Sequence, residues 1–208
     1  MPGRKKNIVW LASYPKSGNT WIRVFLSNLF SDSAQAVHIN NLNLTSISSN
    51  RSIVDSYLGI HSAELYAEEV DNLRPLVYRK LSQETEGIAY IKTHEAWSLN
   101  SSGNPLFPEE ITSGVLYIIR NPLDVAISYS FHNNEPLDDT IDSLNDDFSK
   151  LCEVKDKLFI QTRQFLGSWS GHVSSWADDS KLPVHVIRYE DMLDDPLDSF
   201  KQALDFLK

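Results

Sequence analysis

The chain has 208 residues, 41% hydrophobic and 23% charged, with 19 Lys and Arg against 28 Asp and Glu and a net charge of −9. Such a length supports a single domain, residues 1–208, with a full core, and the acidic balance excludes general binding to nucleic acid or anionic membrane, which needs a basic surface. No apolar run reaches the roughly 20 residues that span a bilayer, and a lone cysteine, Cys152, excludes an intrachain disulfide and suits a reducing, cytoplasmic setting.

The start, Met-Pro-Gly-Arg-Lys-Lys, is basic, but the apolar stretch behind it is short and lacks a small-residue cleavage site, so Ile8–Ala12 reads as a strand and not as a signal peptide. It breaks at Pro15, passes through Lys16-Ser17-Gly18-Asn19-Thr20 and enters an apolar run, Trp21–Phe30, read as a helix. Strand, polar turn and helix together aim backbone N–H groups at one anion. Lys16 adds a charge, and Ser17 and Thr20 add hydroxyl donors. The turn is no ordinary P-loop, because its lysine precedes the glycine. Taken alone, it reads as a connection with a solvated lysine; the flanking apolar runs and the clusters downstream favour a phosphate.

The polar segment Ser31–Ser62 reads as a loop or cap over the strand ends. Helices are expected over Ala63–Leu73 and Pro75–Gln83, split at the proline, followed by a strand over Ile88–Lys92. That strand ends in Lys92-Thr93-His94. Imidazole, with an unperturbed pKa of roughly 6.5, can take a proton near neutrality; a hydrogen-bonded histidine with no chemistry is the competing reading. Asn100–Pro108 reads as a second loop, and both loops are candidate walls of an acceptor pocket. Trp97, Phe107, Tyr129 and Phe131 could line a hydrophobic slot, with core packing the expected use of at least half of them.

A third strand, Val115–Ile119, ends in Arg120, a planar fork of donors suited to phosphate or carboxylate. Its alternative use is a salt bridge to Asp124. A helix follows over Pro122–Asn133, with Asn121 as N-cap and Pro122 in its first position; spacing alone makes Ser128 an ordinary helix serine. The acidic run Glu135, Asp138, Asp139, Asp142, Asp146 and Asp147 reads as a solvated mobile segment and matches no calcium loop. Phe159–Trp176 carries an amphipathic pattern read as a long helix, Val184–Arg188 reads as a fourth strand, and Pro196–Leu207 as the closing helix.

Strands alternating with helices predict an α/β fold with a parallel sheet covered on both faces, where ligands bind at the carboxyl ends of the strands. Lys16, Lys92 and Arg120 fall at such ends. Three cations at one sheet edge in an acidic chain point to a polyanionic nucleotide beside a basic imidazole, with no evident metal ligands.

These segments resemble the sulfotransferases that use 3′-phosphoadenosine 5′-phosphosulfate (PAPS). Tyr14-Pro15-Lys16-Ser17-Gly18-Asn19-Thr20-Trp21 resembles their 5′-phosphosulfate loop, Lys92-Thr93-His94 their catalytic strand end, and Arg120 to Tyr129 their 3′-phosphate motif. Gly167-Ser168-Trp169 with His172-Val173 resembles a helix before their fourth motif, and Tyr189-Glu190-Asp191-Met192 the strand end near adenine. The resemblance implies a P-loop-like three-layer fold and PAPS as co-substrate without a metal. A small hydroxyl or phenol compound is the implied acceptor. It assigns Lys16 to the 5′-phosphate and bridging oxygen, Ser17, Gly18, Asn19 and Thr20 to the surround of that phosphate, and Trp21 and Tyr189 to the adenine. Arg120 and Ser128 would hold the 3′-phosphate, Lys92 the sulfuryl group, and His94 would be the general base.

Two departures stand out. Asn19 occupies a position that is usually Thr, with an amide expected to donate in its place. The family's Arg-Lys-Gly and Gly-Asp-Trp segments are absent before Lys208, so a C-terminally truncated domain is expected. The alternatives are a P-loop kinase using ATP and magnesium, against which stands the missing Gly-Lys-Ser/Thr, and a nucleotide-binding domain without turnover.

Overall fold

The computed structural model describes residues 5–32, 35–153 and 157–208; Met1–Arg4 of the basic start and residues 33 and 34 of the Ser31–Ser62 segment lie outside them. In chain order the elements are β1 (Ile8–Ser13), α1 (Asn19–Leu29), β2 (Thr45–Ile47), α2 (Arg51–Leu58), α3 (Ala67–Glu84), β3 (Ala89–Thr93), β4 (Thr112–Ile119), α4 (Pro122–Asn133), α5 (Leu137–Asn145), β5 (Lys150–Leu151), β6 (Gln164–Phe165), α6 (Trp169–Ser174), β7 (Val184–Arg188), α7 (Tyr189–Asp194) and α8 (Pro196–Phe206). The main sheet has the order β2-β3-β1-β4-β7, with every pairing parallel.

Strand β1 is buried along its whole length because helices cover both faces of the sheet. Its residues alternate between two cores. Ile8, Trp10 and Ala12 join Val70, Val77 and Tyr78 of α3, while Val9 and Leu11 join Ile22 and Leu26 of α1 and Phe200 and Ala203 of α8. The sheet is thus the middle of three layers. Register aligns the strand ends: Ala12 pairs with Thr93 of β3 and Ser13 with Ile118 of β4. The loops after β1, β3 and β4 therefore open onto one edge.

Several expectations need correction. The Ser31–Ser62 segment is more than a loop, since it holds β2 and α2. The Asn50 side chain caps α2 by accepting from the N–H groups of Ser52 and Ile53, and Gly59 ends it at φ 73°. The two helices expected on either side of Pro75 are one, α3. Pro75 leaves the Asp71 carbonyl without its helical donor, and the Asn100 side-chain amide donates there instead. The acidic run contains α5, whose Thr140 and Leu144 are buried.

The long helix expected over Phe159–Trp176 does not form. Residues 160–162 run extended because their backbone carries non-local bonds: Arg51 N–H donates to the Ile160 carbonyl at 3.0 Å, and Thr162 N–H to the Ser49 carbonyl at 2.8 Å. Gly167, at φ 64°, then turns the chain, and α6 starts only at Trp169, capped by Ser168. A π-helical turn, Ser175–Asp179, continues it.

Candidate functional site

The turn after β1 is built on two left-handed residues, Lys16 at φ 67° and Gly18 at φ 99°. Gly18 also needs its missing side chain, because a Cβ there would lie 2.5 Å from the Tyr189 ring. This tight approach seats the N-terminus of α1 beside Lys16. The adjoining cavity, about 380 Å³, is lined by Lys16, Gly18, Asn19, Thr20, Lys92, His94, Arg120, Ser128, His132 and Tyr189.

Ser17 and Trp21 are not on its wall. The Ser17 hydroxyl is buried without a hydrogen-bond partner, and Trp21 packs edge-on against Tyr189 and Phe200. The Asn19 amide does donate, but inward, to the Leu11 carbonyl at 2.8 Å and to the Ser13 hydroxyl at 3.2 Å. Its substitution for threonine thus ties the turn to the end of β1, and any anion contact falls to its backbone N–H.

Arg120 follows β4 and turns to the loop rather than to Asp124. Its Nη1 donates to the Lys16 carbonyl at 3.1 Å, its guanidinium carbon lies 4.4 Å from the centre of the Tyr189 ring, and its Nε is buried with no partner. Asn121 caps α4 as expected, accepting from Leu123 N–H at 3.0 Å. Ser128 and His132 sit one turn apart on α4, both facing the cavity.

At the end of β3, His94 donates its Nδ1–H to the Ser13 carbonyl at 2.8 Å. The acceptor being a carbonyl, Nδ1 carries the hydrogen and Nε2 keeps its lone pair. Burial, and then the nearby Lys92 cation, hold the His94 pKa well below 6.5, so the ring is neutral at neutral pH. Lys92 itself is lowered to about 8, first by burial and then by Arg23. Arg23, on α1, donates to the Thr45 hydroxyl at 2.8 Å. The sequence reading missed Arg23, whose charge acts on Lys92 and His94, and His132, which lines the cavity. His132 was findable as the residue four after Ser128 on one helix; Arg23 had no local signal beyond following Thr20 by one turn.

The Asn100–Pro108 loop borders a different cavity, about 290 Å³, with Glu95, Arg163 and Phe165. Of the aromatic candidates, Phe107 is core, Tyr129 is buried, Trp97 packs partly against the core, and Phe131 is exposed. Among the described residues no cluster of His, Cys, Asp or Glu could hold a metal ion, and no helix is long and apolar enough to cross a membrane.

The donor set suits a ligand with more than one anionic group. Lys16, the α1 N-terminus, Arg120 and Ser128 all line the cavity of about 380 Å³, and the unpartnered Arg120 Nε is a buried donor awaiting an acceptor. The sulfotransferase domain family matches residues 6–208. Luciferin sulfotransferase of Photinus pyralis is 28% identical over 210 residues, covering 95% of this chain and 50% of that protein. Among solved structures, mouse sulfotransferase SULT7A1 complexed with PAP aligns at a TM-score of 0.52 and 21% identity, over 98% of this chain and 58% of that one. Retinol dehydratase in a complex with retinol and PAP aligns at 0.58 and 20%, over 98% and 60%. The chain thus spans about half the length of the curated relatives it matches.

Proposed function

The chain belongs to the sulfotransferase family, and on that premise we propose that it moves a sulfuryl group from PAPS to a hydroxyl of a small acceptor. The observation that carries this reading is the convergence of Lys16, Lys92, His94, Arg120 and Ser128 on one cavity. A cytoplasmic setting and a small alcohol or phenol acceptor belong to the same proposal. The relatives are named for luciferin and retinol, both small hydroxylated or phenolic compounds in kind.

The donor supplies an activated sulfuryl group joined to its 5′-phosphate through a bridging oxygen. Arg120 and Ser128 would bind the 3′-phosphate, with the Arg120 Nε finding its acceptor there. Lys16, Thr20 and the N–H groups at the start of α1 would bind the 5′-phosphate, and the Lys16 ammonium would offset the charge left on it when the sulfuryl departs. Tyr189 would pack beside the adenine. Trp21, touching Tyr189 edge-on, would support it from behind. His94 Nε2, bare because Nδ1 donates to Ser13, would take the proton of the acceptor hydroxyl. Lys92 would steady the peripheral oxygens of the transferring group. The displacement resembles phosphoryl transfer, with a loose transition state that positioned cations stabilise.

The test has two parts. Calorimetry with adenosine 3′,5′-bisphosphate and with ATP–magnesium compares the ligands of the sulfotransferase and kinase readings; binding of the bisphosphate alone is expected. Transfer from radiolabelled PAPS to a panel of alcohols and phenols follows, with Lys16→Ala and His94→Ala each losing most turnover. Preference for ATP–magnesium would overturn the proposal, and bisphosphate binding with no transfer to any acceptor would favour the non-catalytic alternative.

A further inference from the structure

The Gly167-Ser168-Trp169…His172 motif has no part in the chemistry above, yet α6 and the turn after it grip the residues that follow β3. His172 is fully buried, and its Nε2–H donates to the carbonyl of His94 at 3.1 Å. Four residues on, Trp176 Nε1–H donates to the carbonyl of Glu95 at 2.9 Å. Between them, the Ser175 hydroxyl accepts from Trp97 N–H at 3.0 Å. Residues one turn apart on a helix share a face, so one short segment satisfies backbone groups at residues 94, 95 and 97. The grip is anchored to the sheet. Tyr117, in the middle of β4, donates its hydroxyl to His172 Nδ1 at 2.9 Å. Because Nδ1 accepts, Nε2 carries the hydrogen that His94 receives.

We propose that His172 is a positioning residue for the general base: with Trp176 and Ser175 it clamps the backbone of the turn that carries His94. This rests on the reading of His94 as the base. The His94 ring is tied at Nδ1 to Ser13 and its own carbonyl is tied to His172, so the residue is held at both ends and Nε2 keeps one place in the cavity. Neither tether touches the Nε2 lone pair. Burial keeps His172 neutral by lowering it to about 4, so the donor stays in its Nε2–H form across the working pH range. A base displaced by an ångström loses on the order of a hundredfold in rate, which is the scale of effect a clamp controls.

The experiment uses the full chain with ¹⁵N-labelled histidine. Long-range ¹H–¹⁵N correlation reads the His94 tautomer in the wild type, His172→Phe, His172→Gln and Tyr117→Phe. In the wild type a single Nδ1–H tautomer is expected. In folded His172→Phe, mixed tautomers or exchange-broadened His94 signals are expected, with kcat down about tenfold to a hundredfold and the Kd for adenosine 3′,5′-bisphosphate within about twofold. His172→Gln keeps a side-chain N–H and recovers the single tautomer and most of kcat. Should His172→Phe fail to fold, Tyr117→Phe carries the test: it removes one hydroxyl from the anchor and broadens the His94 signals. An unchanged His94 tautomer with kcat within about twofold overturns the clamp, as does an equal loss in the Phe and Gln variants. A wild-type chain without nucleotide binding or turnover overturns the functional reading instead, and the tautomer measurement still decides whether His172 holds His94.

Discussion

The Arg120 guanidinium donates to the carbonyl of Lys16 at 3.1 Å, joining the end of β4 to the turn after β1. Lys16 is a left-handed, non-glycine residue at φ 67°, a conformation that persists only where its surroundings enforce it. Arg120 is part of that enforcement. One side chain therefore both shapes the turn after β1 and, in the proposed reaction, meets the 3′-phosphate.

Arg120→Ala is expected to weaken adenosine 3′,5′-bisphosphate binding by more than the loss of one phosphate contact, because the loop relaxes as well. A charge-assisted hydrogen bond alone is worth about 1.5–3 kcal/mol. Arg120→Lys keeps the charge but cannot fork between the Lys16 carbonyl and a phosphate, and is expected to recover less than half of the lost binding energy. Calorimetry on both variants checks this; full recovery in Arg120→Lys would mean that charge alone matters.

Gly18→Ala meets two obstacles, the positive φ of 99° and the Tyr189 ring 2.5 Å from the new Cβ. The left-handed backbone costs an alanine about 1–2 kcal/mol, and the ring must move as well. Both a lower melting temperature and a loss of bisphosphate affinity are expected. A variant with unchanged affinity would show that the close approach of loop and ring is dispensable.

The pH dependence of kcat/KM for the nucleotide reports groups of the free enzyme. In the proposed reaction His94 works in its neutral form, and burial holds its pKa well below 6.5, so the acid limb is expected well below 6.5. In the same proposal Lys92 works as a cation, and burial lowers its pKa to about 8, so the rate is expected to fall as pH rises through about 8. Lys92→Arg keeps the charge at alkaline pH and is expected to remove the upper limb. An acid limb at 6.5, or an alkaline limb untouched by Lys92→Arg, contradicts these assignments.

Arg74 and Glu95 form a buried ion pair behind the site. Arg74 Nη1 lies 2.5 Å from Glu95 Oε1, its Nη2 bonds the other carboxylate oxygen, and Nε donates to the Tyr78 hydroxyl at 2.9 Å. Arg74→Met strands a buried carboxylate and is expected to cost about 3–5 kcal/mol in urea unfolding. The double variant Arg74→Met/Glu95→Leu removes both charges and is expected to be more stable than Arg74→Met. If the two unfold alike, the stranded charge is not what Arg74→Met exposes.

The core strands, the helices α1, α4 and α8, and most of the cavity wall were legible in the sequence. A strand buried on both faces writes an unbroken apolar run, so Ile8–Ala12 was recognisable. Val184–Arg188 was expected to be buried as well, but β7 is an edge strand with only Ile187 buried, and its Val and Ile content alone marked it. Asn121-Pro122 marked the start of α4 by cap chemistry that acts within three residues. Lys16, Lys92, His94 and Arg120 followed from their places at strand ends, which parallel topology brings to one edge. Other features depended on partners far along the chain. Phe159–Trp176 has a helical pattern, yet its backbone is claimed by Ser49 and Arg51, and only the fold brings those residues near. Ser128 had no signal in spacing, Asn19 turned its amide inward, and Arg23 joined Lys92 from another element. The clamp on His94 likewise comes from Tyr117 and His172. Local periodicity and capping act over a few residues and can be read in order. Tautomers, buried ion pairs and depressed pKa values arise from low-dielectric contacts between distant segments, and these exist only once the chain has folded.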